Sequence, residues 1–409
     1  MRPVLLLSNI KTLYGITENG CLRKAGKEMS DFKGIDNAWL KISEEGTIED
    51  FGSMINFPEG SFETLNCQGK MVLPSFVDSH THLIHAGGRE NEFVDRIKGL
   101  SYEQIANRGG GILNSAQKLN QTSEDELFEN AFLRLQQCIE LGTGAIEIKS
   151  GYGLSTEGEI KMLKVANRLK SVSPIPVKIT FLGAHAIPSN YIGNSAGYIK
   201  LIVDEMLPII HHEKLADYID VFCEKNYFAV NEMETLLDAG RKYNLKPKLH
   251  INQFNSIGGV QSAVKHNALS VDHLEVLNQN DLESLQNSST IPVALPACSF
   301  FIKIPYTPCR QLIDNGLSVA LATDYNPGSS PCLSMPFVVS LACIQMQMLP
   351  EEALNASTIN GAAALELQDT VGSIEVGKKA NLIITKPVSS LNYLPYSFTE
   401  NWIDRILLG

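Results

Sequence analysis

Met71-Val-Leu-Pro-Ser-Phe-Val-Asp-Ser-His-Thr-His-Leu83 is the stretch whose reading decides the fold. Its apolar run (Val72, Leu73, Phe76, Val77) reads as a buried strand, and it leads into two histidines, His80 and His82. Residues i and i+2 of a strand project from the same face. Both imidazoles can therefore point the same way at a carboxyl end, close enough to share one metal ion, and imidazole suits zinc, iron and similar ions. An HxH pair alone is a weak signal. What strengthens it is how the later strand-like runs end.

Strand-like runs recur at 73–77, 144–149, 177–183, 218–223, 247–251, 269–272, 291–295 and 318–322. Helical patterns lie between them. Leu127, Phe128, Ala131, Leu135 and Cys138 recur at helical spacing, with Gly142 as a stop, and 232–243 and 281–286 are similar. Eight β/α units in roughly 300 residues predict a TIM-like (β/α)8 barrel. The competitor is a doubly wound open sheet, but no GxGxxG follows an early strand. Gly109-Gly-Gly111 lacks the Lys-Ser/Thr of a phosphate-binding loop and reads as a flexible or substrate-facing loop.

In such a barrel the carboxyl ends converge on one mouth, where active sites sit. The first run ends in His80 and His82, the second in Lys149-Ser-Gly-Tyr152, the third in Gly183-Ala-His185. The fifth ends in His250, with Gln253 one turn on, the sixth in Asp272-His273, and the eighth in Thr323-Asp324-Tyr-Asn326-Pro-Gly328. With His85 just after the first, six of the nine histidines fall at such ends. His211, His212 and His266 lie in helical or loop stretches and read as solvated.

Both ends of the chain are β-rich with Gly and Asn turns. Residues 1–70 and 371–409 are expected to pair into one small β-sandwich domain, with 71–370 as the barrel. At 409 residues, 44% hydrophobic and 19% charged, the chain has ample core. A net charge of −11 without a basic stripe disfavours nucleic acid as a partner. Eight scattered cysteines with no CxxC read as thiols in a reducing compartment. The N-terminus lacks a full signal-peptide core and no run approaches 18 apolar residues, so a cytoplasmic protein without a membrane partner is expected.

The pattern resembles the amidohydrolase superfamily of metal-dependent hydrolases over essentially the whole chain: flanking β domain, HxH after strand one, His on strands five and six, Asp on strand eight. Longer blocks are more specific. Arg89-Glu-Asn-Glu-Phe93, Glu147-Ile-Lys-Ser-Gly-Tyr-Gly-Leu154, Phe181-Leu-Gly-Ala-His-Ala-Ile-Pro188, Asp220-Val-Phe-Cys-Glu224 and Ala322-Thr-Asp-Tyr-Asn-Pro-Gly-Ser329 are similar to the imidazolonepropionase family. That resemblance implies hydrolysis of 4-imidazolone-5-propanoate to N-formimidoyl-L-glutamate in histidine degradation. It implies one zinc or iron ion per subunit, held by His80, His82, His250 and Asp324, and substrate contacts from Arg89, Tyr152, His185, Asn326, Gly328 and Ser329. A homodimer is implied as well.

The residues themselves suit a lactam hydrolysis. Three histidines and a carboxylate leave an open metal position for water, whose pKa falls toward about 7 there. Asp324 is the candidate proton acceptor, although Asp-Tyr-Asn-Pro-Gly is also a good turn sequence. His273 and His185 are candidates to offset oxyanion charge. Arg89 offers a fork for the propanoate, its bland alternative being an ion pair with Glu90 or Glu92. Tyr102 and Tyr152 are candidate hydrogen-bond donors to substrate. Two departures stand out. Strand four ends Cys223-Glu224-Lys225, so Lys225 is displaced from where binuclear relatives carry a ligand lysine, and one metal is expected. Deaminase relatives carry Glu three residues past the strand-five histidine, whereas here stands Gln253, which cannot transfer protons as a carboxylate does and is assigned to substrate or water. The insert 97–114 is the candidate lid. Another cyclic amidohydrolase or a deaminase is the alternative enzyme, and a metal-free scaffold protein the alternative class.

Overall fold

The computed structural model describes residues 3–100, 104 and 110–409. Eight parallel strands follow in chain order, each paired with the next: Phe76–Asp78, Thr143–Lys149, Val177–Ala184, Tyr218–Cys223, Lys246–Ile251, Ser270–His273, Ile291–Ala294 and Ala320–Leu321. They are numbered one to eight below. Closure is made just beyond the strand ends. Asp324 N donates to His80 O at 3.0 Å and His82 N donates to Tyr325 O at 2.8 Å. The seam between strands eight and one is thus built from the residues that the sequence marks as metal ligands.

Strands two, three and four are almost wholly buried, as parallel strands covered on both faces must be. The helices around them obey local rules. Glu124–Glu140 starts where the Ser123 side chain accepts from Glu126 N, with Glu124, Asp125 and Glu126 in its first turn. It buries Leu127, Ala131, Leu135 and Cys138, and the chain turns at Gly142 with φ +98°. The helix Ile359–Ala363 comes so close to strand one that a Cβ on Gly361 would lie 2.6 Å from the Val77 carbonyl oxygen.

Leu5–Tyr14, Gly34–Ile42, Ile48–Ser53, Glu63–Asn66, Met71–Pro74, Leu382–Thr385 and Ile403–Leu407 form one mixed sheet built from both ends of the chain. Leu7, Ile10, Leu40, Val72, Leu382 and Ile384 are part of its core. The run 73–77, expected to be a single strand, is two. Met71–Pro74 pairs in this sheet, parallel to Leu5–Tyr14 and antiparallel to Leu382–Thr385, and only Phe76–Asp78 belongs to the barrel. Pro74 has no N–H to continue a ladder, and the next donor, Ser75 N, goes to Asn381 O at 2.9 Å. The Ser75 side chain then fills the space where a Cβ on Gly144 would stand. Among the described residues no helix is long and apolar enough to cross a membrane.

Candidate metal centre and active site

His80, His82 and His250 are buried, and one ring nitrogen from each lies within 4.8 Å of the others. Asp324 Oδ1 is 3.5 Å from Nε2 of both His80 and His82. His80 Nε2 is buried and has no hydrogen-bond partner among the described residues. An orphaned acceptor beside two more imidazoles and a carboxylate is what a metal ion would satisfy, and the donor set fits one zinc-like or iron-like ion.

The far nitrogens of two of these rings are tied down. His80 Nδ1 is 2.6 Å from Asp272 Oδ2, and His250 Nδ1 is 2.8 Å from Asp220 Oδ2. An Nδ1–H given to a carboxylate leaves the Nε2 lone pair facing inward, the tautomer that a ligand needs. Burial, then the charge of Lys149, holds His80 well below the usual imidazole range. Burial and the neighbouring His273 and Lys149 do the same for His250. Burial pushes Asp324 up, but a hydrogen bond with His82 and the charge of His273 outweigh it, so the carboxyl sits below its ordinary value.

Beneath the ligands lies Lys149, expected to pair charges and fully buried. Its Nζ is 2.9 Å from Asp220 Oδ2, 3.0 Å from Glu147 and 3.9 Å from Asp272 Oδ2. Burial alone would strip its proton, but the three carboxylates together raise its pKa. One cation thus serves both carboxylate–histidine pairs. Lys248 Nζ adds a bond to Ser270 Oγ at 2.9 Å, and Ser270 donates to Asp272.

His185 stacks on His82 with ring centres 5.2 Å apart, and its Nδ1 is 3.0 Å from Gly151 O. Tyr152 stands edge-on to both rings. The loop carrying it wraps around the buried Glu159 carboxylate, which accepts from Gly151 N, Gly153 N and Leu154 N. Gly151 combines φ +112° with a close approach, since a Cβ there would lie 2.9 Å from His185 Nδ1. His273 has φ +87°, an uncommon conformation for a side-chain-bearing residue. Its Nδ1 is 3.3 Å from Glu275 Oε1. Burial would lower the His273 pKa, but the Glu275 charge and hydrogen bond win and raise it. Gln253 is buried and its Nε2 meets Cys298 Sγ at 3.4 Å.

Arg89 pairs with Glu92, as its bland reading had it, yet both side chains are largely buried. The guanidinium also lies against Gly328, where it would collide with a Cβ. Arg96 Nη2 donates to Gly328 O at 2.7 Å. Asn326 is engaged within its own loop: its Oδ1 accepts from Gly328 N and Ser329 N, and its Nδ2 donates to Asp324 O and Ser329 Oγ. Tyr102, and part of the insert 97–114, lie outside the described residues. Lys225 is exposed, and at the end of strand four the buried Glu224 instead accepts from Phe254 N and Asn255 N. Sequence reasoning gave no role to Asp220, Asp272, Glu275, Cys298 or Arg96. For Asp272 and Glu275 the available signal was an acidic residue next to, or two residues from, the strand-end His273; Asp220, Cys298 and Arg96 carried no such signal.

The sequence profile of the amidohydrolase family matches residues 71–405. A Flavobacterium johnsoniae protein named imidazolonepropionase is 56% identical over 99% of this chain and 98% of its own. One of the same name from Thermoanaerobacter pseudethanolicus is 39% identical, over 100% of this chain and 97% of its own. Among solved structures, E. coli guanine deaminase superposes with a TM-score of 0.74 at 13% identity, covering 100% of this chain and 98% of its own, a likeness of fold alone.

Proposed function

The chain belongs to the amidohydrolase family and within it to the imidazolonepropionases, and from that premise we infer how its own residues open the ring. The reaction is hydrolysis of the cyclic amide of 4-imidazolone-5-propanoate to N-formimidoyl-L-glutamate. The observation that carries the residue assignment is the convergence of His80, His82, His250 and Asp324 at the barrel seam.

These four residues would hold one divalent ion, zinc or iron, which when bound supplies an acidic water by lowering its pKa toward about 7. Asp324, its carboxyl held below its ordinary range by His82 and His273, takes a proton from the attacking water as the water oxygen adds to the ring carbonyl carbon. Negative charge then grows on the former carbonyl oxygen. His273, whose pKa Glu275 raises against burial, faces the same chamber and offsets it with its ring N–H. Collapse breaks the ring C–N bond, and the proton held by Asp324 passes to the departing nitrogen. His185 and Tyr152 form the wall beside His82 and orient the ring, with the Gln253 amide as a further contact. Arg89, positioned by Glu92 and packed against Gly328, takes the propanoate, with Ser329 closing that side. Tyr102 is assigned to the substrate as well. A cytoplasmic homodimer completes the reading.

The test is metal content together with ring opening, on the wild type and on Asp324→Ala. About one equivalent of zinc or iron, activity on imidazolone propanoate, and loss of about a thousandfold or more in the variant are expected. Metal without that activity, but with turnover of a hydantoin, dihydroorotate or guanine, would assign the same centre to another substrate.

A further inference from the structure

We propose that His273, Glu275 and Cys298 form a second cation site, adjoining the three-histidine centre on the side of Asp324 and His250, which takes a thiophilic divalent ion such as zinc or cadmium and silences the enzyme when filled. One donor atom from each residue lies within 4.8 Å of the others, and all three residues are buried. An imidazole, a thiol and a carboxylate make a zinc-type donor set, with a fourth position left for water.

A second observation points to a cation. Glu275 Oε1 is engaged by His273 Nδ1 and by Ser299 Oγ at 3.1 Å, yet Oε2 is buried and has no hydrogen-bond partner among the described residues. A buried carboxyl oxygen left without a partner in the interior is costly. A metal ion would satisfy it.

The placement gives the consequence. Cys298 lies in the first turn of Pro296–Ile302, the helix that follows strand seven. Its sulfur meets the Gln253 amide, and the His273 ring centre is 5.2 Å from that of His250. An ion here takes the His273 imidazole as a ligand, so the ring beside His250 is no longer available to the substrate. The site itself does not depend on the ring-opening assignment, but its inhibitory effect does.

The test uses enzyme already loaded at the first centre and titrated with Cd²⁺, reading the ultraviolet charge-transfer band of a cadmium thiolate without substrate and ring opening in parallel. One further equivalent is expected to bind, with the band growing as activity falls by about a hundredfold, the worth of a lost acid–base group. In Cys298→Ser the band and the cadmium-dependent loss, measured against that variant's own starting activity, both disappear. No band in the wild type, or an equal band in Cys298→Ser, would overturn the site. Constant activity while the band saturates would overturn the silencing.

Discussion

Replacing Lys149 with Met keeps an unbranched side chain, one atom shorter, and removes the cation. Three carboxylates, Glu147, Asp220 and Asp272, all within 4 Å of the Lys149 Nζ position in the barrel interior, then face an apolar tip. Removing one partner of a buried ion pair costs about 3 to 5 kcal/mol, because the surviving charge has lost its compensation. Against a total stability of roughly 5 to 15 kcal/mol, that is a large fraction. The carboxylates respond by binding protons, so their folded pKa values rise above the unfolded ones. Stability from such groups is present below the unfolded pKa and is lost as pH rises through the folded one, so the deficit of the variant should widen from acid toward neutral pH. A protonated Asp220 or Asp272 also no longer draws an imidazole N–H as an anion does, and loss of such a partner typically weakens metal binding by about 10 to 100-fold. Urea midpoints across pH and chelator competition for the metal measure the two effects separately. A variant within about 1 kcal/mol of wild type, with unchanged metal affinity, would refute the view that one lysine sustains both carboxylate–histidine pairs.

Glu275→Gln removes the charge that holds the His273 pKa up against burial. If catalysis needs the protonated ring, the alkaline limb of kcat/KM shifts to lower pH; an unshifted profile would exclude His273 as that group. Gly361→Ala places a Cβ 2.6 Å from the Val77 carbonyl oxygen, and the overpacking is expected to cost about 1 to 3 kcal/mol, read as a lower Tm. Dialysis against a chelator should abolish ring opening and lower Tm, both recovering with zinc or iron; a ligand present at 100 times its Kd contributes about 2.7 kcal/mol.

What was legible in the sequence is what short-range pattern can encode. An apolar run followed by His-x-His shows a strand whose end bears two ligands, and Gly-Ala-His185 or Asp272-His273 shows another strand end. The fold then brings those ends together. The partner of each histidine is another matter. His80 meets Asp272 across 192 positions, and His250 meets Asp220 across 30. Those pairs follow from barrel closure and strand register, which no local pattern carries. Lys149 looked like a charged residue at a strand end, and only the register turns it toward carboxylates from strands two, four and six. The split at Ser75 was hidden for the opposite reason: the apolar residues continue across it, and only the ladder partners change.

That split has a consequence for how the chain is made. Met71–Pro74 sits between a strand that leaves the ribosome early and one that leaves near the end, and Met71 N bonds to Thr385 Oγ1 across 314 positions. At synthesis rates of roughly 5 to 20 residues per second, one edge of that strand stays open for about 15 to 60 s. An apolar strand with an open edge is a template for pairing with other chains. The nascent protein must therefore carry its first barrel strand, and the histidines that follow it, on an unfinished sheet until the last residues arrive. Chains that stop short of residue 382 should be lost to aggregation and proteolysis even though every metal ligand has already been made.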